Sequence, residues 1–584
     1  MAVALNHAPL AGTDGGHGRG FPLPEFTTLL PLRIAPQFSA DVSALEDLAD
    51  RMINNPPDSI SDGPDPEENL FLPAGYTYLG QFIDHDLTLD TTSTLDIAND
   101  LKNPAKPAND PSNLRSPRFD LDCVYGNGPG DQPYLYVQKD AESPAGPLFK
   151  DASMVLDGDD LPRGKNGRAL IGDKRNDENS IVNQVQQAFI KFHNQVVRHL
   201  VEGGAAERGS ALFARARNQV RWAYQTVITD DFLPRIVEHR TLNGFLDDRA
   251  SQPDRSKGYK LYTPDKRANL PREFVVAAYR YGHSMVRTGY RLNGDAQWGN
   301  GKGTRLPIFT PSDRTELSLI GFDPLLPSHV IDDWGRFFPK DHPRPGSRLT
   351  VNVGKTAEDP KADPVLRLQY AYKIDPSLAD PLGGLPPKIA QPGDVPGGTV
   401  PPSLALLNLL RGNRYLIQGG QQFEGLVGSH LAKKYLVTRE KLPGDRYRFK
   451  AIPEALQMDT PLWFYVLAEA QRHLVDWWLE LVEADPSAVL TKEHLLGNVP
   501  DPDPEHPELP RARGVGSQLG PVGGRIVAEV FYGLLDEDET SVVNLPDADT
   551  WQPVWGEGPH TFARLLEFAG LPLTDGLPPA GNPA

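Results

Sequence analysis

From Ile181 to Val201 apolar side chains recur at helical spacing, with Ile181, Val185, Ala188, Phe189, Phe192, Val196 and Leu200 on one face of a single long helix. A stripe that broad is stable only where other elements cover it, so it commits the chain to a packed helical body. Further amphipathic stretches near 210–227, 271–288, 403–411, 462–483 and 521–535 predict the covering helices, whereas strand signals are short and weak. The fold is therefore expected to be mainly α. Its 57 prolines in 584 residues, about twice ordinary usage, predict long fixed loops, above all the Pro-rich stretches 375–403 and 498–511. The body is expected over 21–570, between a disordered Gly- and His-rich segment 1–20 and a flexible tail 571–584.

Composition removes several classes of function. A net charge of −18 argues against sequence-independent binding of nucleic acid and against docking on anionic membranes. No apolar run reaches the 18 or so residues that span a bilayer, and Met1 to Gly20 lacks the charged and apolar regions of a signal peptide. The expected location is thus the cytoplasm, or outside by a route without a cleavable signal. The single cysteine, Cys123, excludes an intrachain disulfide and a cysteine-rich zinc site, and reads as a buried small hydrophobe. There is no solenoid repeat, and Trp298 to Thr304 (WGNGKGT) lacks the first glycine of a phosphate-binding loop. Asp501, Asp503 and Glu505, alternating with prolines, read as a solvated linker.

Four short segments carry chemistry. Gly80 to Asp86 (GQFIDHD) puts an amide, an imidazole and two carboxylates in two turns of helix. Gln81 and His85, four apart, share a face, while Asp86 is rotated by about 100° and serves a different site. Gly172 to Glu178 (GDKRNDE) precedes the long helix. In Ala278 to His283 (AYRYGH), a lone histidine would read as core, but Gly282 beside it leaves room for something flat to approach the backbone. In Ala405 to Arg411 (ALLNLLR), Asn408 and Arg411 interrupt an apolar stripe and need partners or a ligand.

In order and content these segments resemble the animal-type haem peroxidases of the peroxidase and cyclooxygenase superfamily, most closely their bacterial branch, over roughly residues 70 to 535. The resemblance implies one large domain around haem b, because motifs spread over more than 300 residues must meet at one cofactor. It assigns His283 as proximal iron ligand, Asn408 as acceptor of the proton on its other nitrogen, and Arg280 and Arg411 to the haem propionates. On the opposite face His85 would move the peroxide proton, Arg175 would stabilise charge as the O–O bond breaks, and Gln81 would hold a distal water or halide. Asp84 and Glu178 match the carboxylates that form ester bonds to haem methyl groups. Asn179 stands where some relatives carry methionine for a third link, so bromide, iodide, thiocyanate or phenols are expected before chloride. Asp86, with Ser116, Arg118 (through its carbonyl), Asp120 and Asp122, matches a calcium site, and family relatives often have serine where Asp122 stands. An EF-hand is excluded by Tyr125 at the position needing glycine.

The implied activity is reduction of hydrogen peroxide with oxidation of small anionic or aromatic donors through an iron-oxo intermediate. One alternative is a fatty-acid dioxygenase of the same superfamily, which needs a tyrosine where this chain has Arg280, between Tyr279 and Tyr281. The other is a non-catalytic haem- or calcium-binding protein, which would need neither His85 nor Arg175. The sequence leaves the oligomeric state open.

Overall fold

The expected long helix runs over Ser180–Glu202 (α3), and Asn179 caps it by accepting from the N–H groups of Ile181 and Val182 at 3.0 and 2.9 Å. The computed structural model of the chain describes residues 26–31, 42–53, 65–89, 113, 115–264, 269–293, 305–310, 318–340, 368–386, 389, 403–496, 517–546 and 551–573. The expected segment 1–20, the Pro-rich stretch 498–511 and the WGNGKGT segment lie outside these residues. Among the described residues the remaining α-helices of seven residues or more are α1 (Val42–Met52), α2 (Gly75–Leu87), α4 (Gly209–Val227), α5 (His239–Ala250), α6 (Leu404–Arg414), α7 (Gln421–Val427), α8 (Leu462–Ala470), α9 (Arg472–Ala484), α10 (Pro521–Glu537) and α11 (Phe562–Phe568).

Strands are few and short, and the fold is mainly α, as the sequence predicts. Strands β1 (Glu68–Pro73) and β6 (Tyr370–Tyr372) pair antiparallel, as do β2 (Ala141–Ser143) with β3 (Gly146–Leu148) and β4 (Gly289–Tyr290) with β5 (Leu306–Pro307). A three-stranded sheet, in the order β7 (Val437–Leu442), β8 (Arg446–Ala451), β9 (Leu490–Thr491), shares a small core of its own with Leu474 and Val475 of α9.

One contiguous apolar core holds most of the molecule. At its centre Phe82 of α2 stacks on Phe189 of α3 at 4.6 Å, Tyr224 of α4 meets both rings edge-on, and Phe562 of α11 packs on Phe189 at 5.7 Å. Such ring pairs contribute about 0.5–1.5 kcal/mol each beyond the area they bury. They lock the helix carrying His85 against the helix that follows Arg175.

Two expected helices are broken. The stretch predicted over 271–288 is helical only at Arg272–Val276, leaves helical dihedrals at Ala277 (φ −136°, ψ −74°) and tightens into a 3₁₀ helix over Ala278–Met285. Three residues per turn set Arg280 and His283 one above the other, which an α-helix would not do so closely. The stretch predicted over 462–483 divides at Gln471, whose side chain turns aside to donate to the Val437 carbonyl of β7 at 2.7 Å. At the C-terminal end, the Pro572 carbonyl accepts from the Trp334 N–H at 2.9 Å, which ties the first residues of the expected tail to the core.

Candidate active site

Gln81, Asp84, His85, Arg175, Glu178, Arg280, His283, Asn408 and Arg411 all line one cavity of about 410 Å³, within the range of cofactor and ligand sites. Four separate stretches of chain converge there. Helix α2 supplies Gln81, Asp84 and His85, and the 3₁₀ turn before α3 supplies Arg175 and Glu178. The 3₁₀ helix at Ala278–Met285 supplies Arg280 and His283, and α6 supplies Asn408 and Arg411.

His85 has its Nδ1 2.7 Å from Asn176 Oδ1, so Nδ1 carries the proton and donates, and Nε2 keeps its lone pair. Asn176 is itself oriented, its Nδ2 donating to Gln186 Oε1 of α3 at 2.8 Å. Burial, and then the Arg175 charge, lower His85 to about 4, so the ring is neutral at physiological pH. Arg175 donates to both carboxylate oxygens of Asp173 and to the carbonyls of His85 and Thr88. Burial opposes its charge, but Asp173 prevails and raises the guanidinium further. Gln81 donates to Glu178 and accepts from Asn179 Nδ2 at 3.3 Å, while burial lifts the Glu178 carboxyl to about 7.

On the other side, the Asn408 amide sits 2.7 Å from His283 Nδ1. The contact is made by the amide nitrogen, not by the oxygen the sequence reading expected, so in this orientation Asn408 donates and the ring proton lies on Nε2. A half-turn of the amide puts its oxygen in the same place and moves the proton to Nδ1, which frees Nε2 as a metal ligand. Burial first, then Arg280 and Arg411, lower His283 to about 3, so the imidazole is neutral. Trp463 of α8 braces the turn, its Nε1 donating to the Arg280 carbonyl at 3.0 Å with its ring edge-on to His283.

The cavity fits a flat dianionic macrocycle. A Cβ placed on Gly282 would meet nothing within 4 Å, so the backbone beside His283 is open to close approach. Burial and the neighbouring Arg411 guanidinium hold Arg280 down to about 9, and two like charges this close call for an anionic partner such as paired propionates. Tyr78, Ile308, Phe309, Leu382, Leu385 and Leu407 supply apolar wall.

Asp86 points away from the cavity, as its position on α2 predicts. One carboxylate oxygen each from Asp86, Asp120 and Asp122 lies within 4.8 Å of the others. Ser116 Oγ donates to Asp120 Oδ2 at 2.7 Å, and the Arg118 N–H folds back onto the Ser116 carbonyl at 2.7 Å. Leu121, left-handed at φ 60°, turns its N–H to Asp86 Oδ2 at 3.2 Å. Asp86 Oδ1 is buried with no hydrogen-bond partner, and burial together with Asp120 raises this carboxyl to about 8. An oxygen-rich, over-charged cluster with an orphaned acceptor is what a hard divalent cation relieves.

Sequence reasoning missed Asn176, Gln186, Asp173 and Arg115. Asn176 and Asp173 lie inside a segment already singled out, but their partners are 91 and 58 residues away, and no local spacing announces such contacts.

The animal haem peroxidase family model matches residues 113–332, which hold the acidic loop, Arg175, Glu178, Arg280 and His283. The chain is 26% identical over 159 residues to a peroxidasin homologue, pxn-2, of Caenorhabditis elegans, which covers 27% of this chain and 11% of that protein. It is 28% identical over 103 residues to the peroxidase mlt-7 of the same organism, covering 18% and 13%. The chain thus spans only about a tenth of the length of these curated relatives. Peroxidase A from Dictyostelium discoideum shares the fold, with a TM-score of 0.52 at 14% identity over 95% of this chain and 94% of that one. With the motifs in order and their side chains around one cavity, the chain is similar to the animal haem peroxidases over residues 113–332.

Proposed function

We propose that this protein is a haem-dependent peroxidase that reduces hydrogen peroxide at the expense of small anionic or aromatic donors. The observation that carries the reading is a pair of neutral imidazoles, His85 and His283, lining one cavity with each Nδ1 engaged by an asparagine. Non-catalytic haem binding needs the second imidazole but not the first, and has no use for Arg175.

His283 would hold the iron, Arg280 and Arg411 the propionates, and Asp84 and Glu178, which line the same cavity, would form the ester links. Bound haem would supply the redox chemistry. His85 Nε2 would take a proton from hydrogen peroxide and return it to the leaving oxygen, and Asn176 keeps the ring turned for both transfers. Arg175 would meet the negative charge that builds as the O–O bond lengthens. Gln81, tied to Glu178 and Asn179, would hold a water or small anion beside them. Asp86, Asp120, Asp122, the Ser116 hydroxyl and the Arg118 carbonyl would hold calcium.

The test is haemin loading of the purified protein, followed by guaiacol and bromide oxidation with and without peroxide. The reading requires a Soret band lost in His283→Ala and peroxide-dependent turnover lost in His85→Ala. A Soret band without turnover would leave the non-catalytic alternative. Efficient chloride oxidation would contradict the expected donor preference, and haem released by acid extraction would contradict the ester links.

A further inference from the structure

Arg115 stands immediately before the acidic loop, with its side chain 1% exposed, and joins two sites. Its Nη1 lies 3.1 Å from Asp122 Oδ1, and its Nη2 donates to Asp173 Oδ2 at 2.7 Å and to the Gly172 carbonyl at 3.0 Å. Asp173 in turn accepts from the Arg175 backbone N–H at 2.9 Å and from its Nη2 at 2.8 Å, and that Nη2 also reaches the His85 carbonyl at 3.2 Å. An unbroken chain of ionic contacts therefore runs from the cluster of Asp86, Asp120 and Asp122 to the guanidinium that faces the cavity. The cluster is more than an accumulation of acids, because Asp86 Oδ1 is buried there without a hydrogen-bond partner.

We propose that Arg115 is a positioning residue for Arg175, sharing its guanidinium between Asp122 and Asp173 so that a divalent cation in the acidic cluster is felt at the distal side of the cavity. This rests on the haem reading above. A cation coordinated by Asp122 takes over that carboxylate and repels Arg115 towards Asp173. Asp173 is then better satisfied by Arg115 and holds Arg175 less tightly, which leaves more of the Arg175 charge for an anion in the cavity. When the cation departs, Asp122 competes for Arg115, and Asp173 falls back on Arg175. No side chain other than Arg115 bridges these two carboxylates among the described residues.

Cyanide affinity of the ferric holoprotein, read from the Soret shift, tests the link without turnover. In the wild type, calcium added to chelator-stripped holoprotein should tighten cyanide binding by about fivefold or more. In Arg115→Met that response should fall to less than half. Should Arg115→Met fail to fold, Arg115→Lys, which keeps the charge but lacks the fork that reaches Asp122 and Asp173 together, should show the same loss of response. No calcium response in the wild type, or an undiminished one in either variant, overturns the proposal. Failure of the wild type to take up haemin, or uptake unaffected by His283→Ala, would instead overturn the haem reading, so the two failures are told apart.

Discussion

His85 and His283 are the same side chain proposed for opposite uses, and each has its Nδ1 against an asparagine amide. Asn176 accepts from His85 through an oxygen whose amide is pinned by Gln186, so the lone pair of Nε2 is available as a base. Because burial and Arg175 hold His85 at about 4, the base form persists through neutral pH. The rate of reaction with peroxide, followed by stopped-flow, should stay level from neutral pH downward and fall only as pH drops through about 4. His85→Ala should lower that rate by about 10²–10⁴, the usual share of general acid–base catalysis. Asn176→Ala should lower it by less, since it leaves a buried Nδ1–H unpartnered, a cost of about 1–3 kcal/mol, without removing the base. Asn179, expected only as a departure from methionine, has two uses of its own: it caps α3 and donates to Gln81.

At the scale of elements, helix ends are held by buried carboxylates as well as by short polar caps. Glu469 of α8 is 2% exposed and accepts from the N–H groups of Val522 and Gly523 at the start of α10. Burial is the largest influence on it and raises it from 4.5 to about 7 despite those bonds. The folded protein therefore prefers the protonated acid, and the stability this contributes is full below about 4.5 and is lost as pH rises through about 7. At 1.36 kcal/mol per pH unit the loss is on the order of 3 kcal/mol. Glu469→Gln, which keeps an acceptor and never ionises, should match the wild type in thermal midpoint at pH 5 and exceed it at pH 8. Equal midpoints at both values would count against this account. The break at Ala277 has a geometric consequence: a continuous α-helix would leave Arg280 and His283 about 60° apart around its axis, whereas the 3₁₀ turn stacks both on the cavity side.

For the molecule as a whole, the strand pair β1–β6 is fastened to the chain that leaves the proximal turn. Arg287 donates to Glu68 Oε1 at 3.0 Å and to the Tyr370 carbonyl at 2.6 Å, with its guanidinium 5.2 Å from the Tyr372 ring, and both partners of the ion pair are fully buried. Breaking a buried pair leaves an uncompensated charge, so Glu68→Gln should cost about 3–5 kcal/mol in denaturant unfolding. It should also loosen haem retention, because the 3₁₀ helix that carries His283 ends at Met285, two residues before Arg287. A variant of unchanged stability would show that this pair does not fasten the proximal side. Haem itself should raise the thermal midpoint by mass action, since only the folded chain brings the four stretches of the cavity together.

Much was legible in the sequence. Helices α3, α4 and α10 follow from apolar spacing and their breakers, and the nine cavity residues follow from four ordered motifs, because both signals are local in the chain. The breaks at Ala277 and Gln471 were not legible, since a periodic stripe continues through both and only a distant partner, such as the Val437 carbonyl, turns the chain aside. The orientation of the Asn408 amide, the Asn176 support for His85 and the Arg115 link between Asp122 and Asp173 belong to the same class. By itself the sequence determined which chemical groups are present and on which helical face each one lies, because backbone geometry repeats with a fixed period. Only the tertiary structure decided which groups share a proton, a charge or a cavity, because those energies depend on distances between residues far apart in the chain.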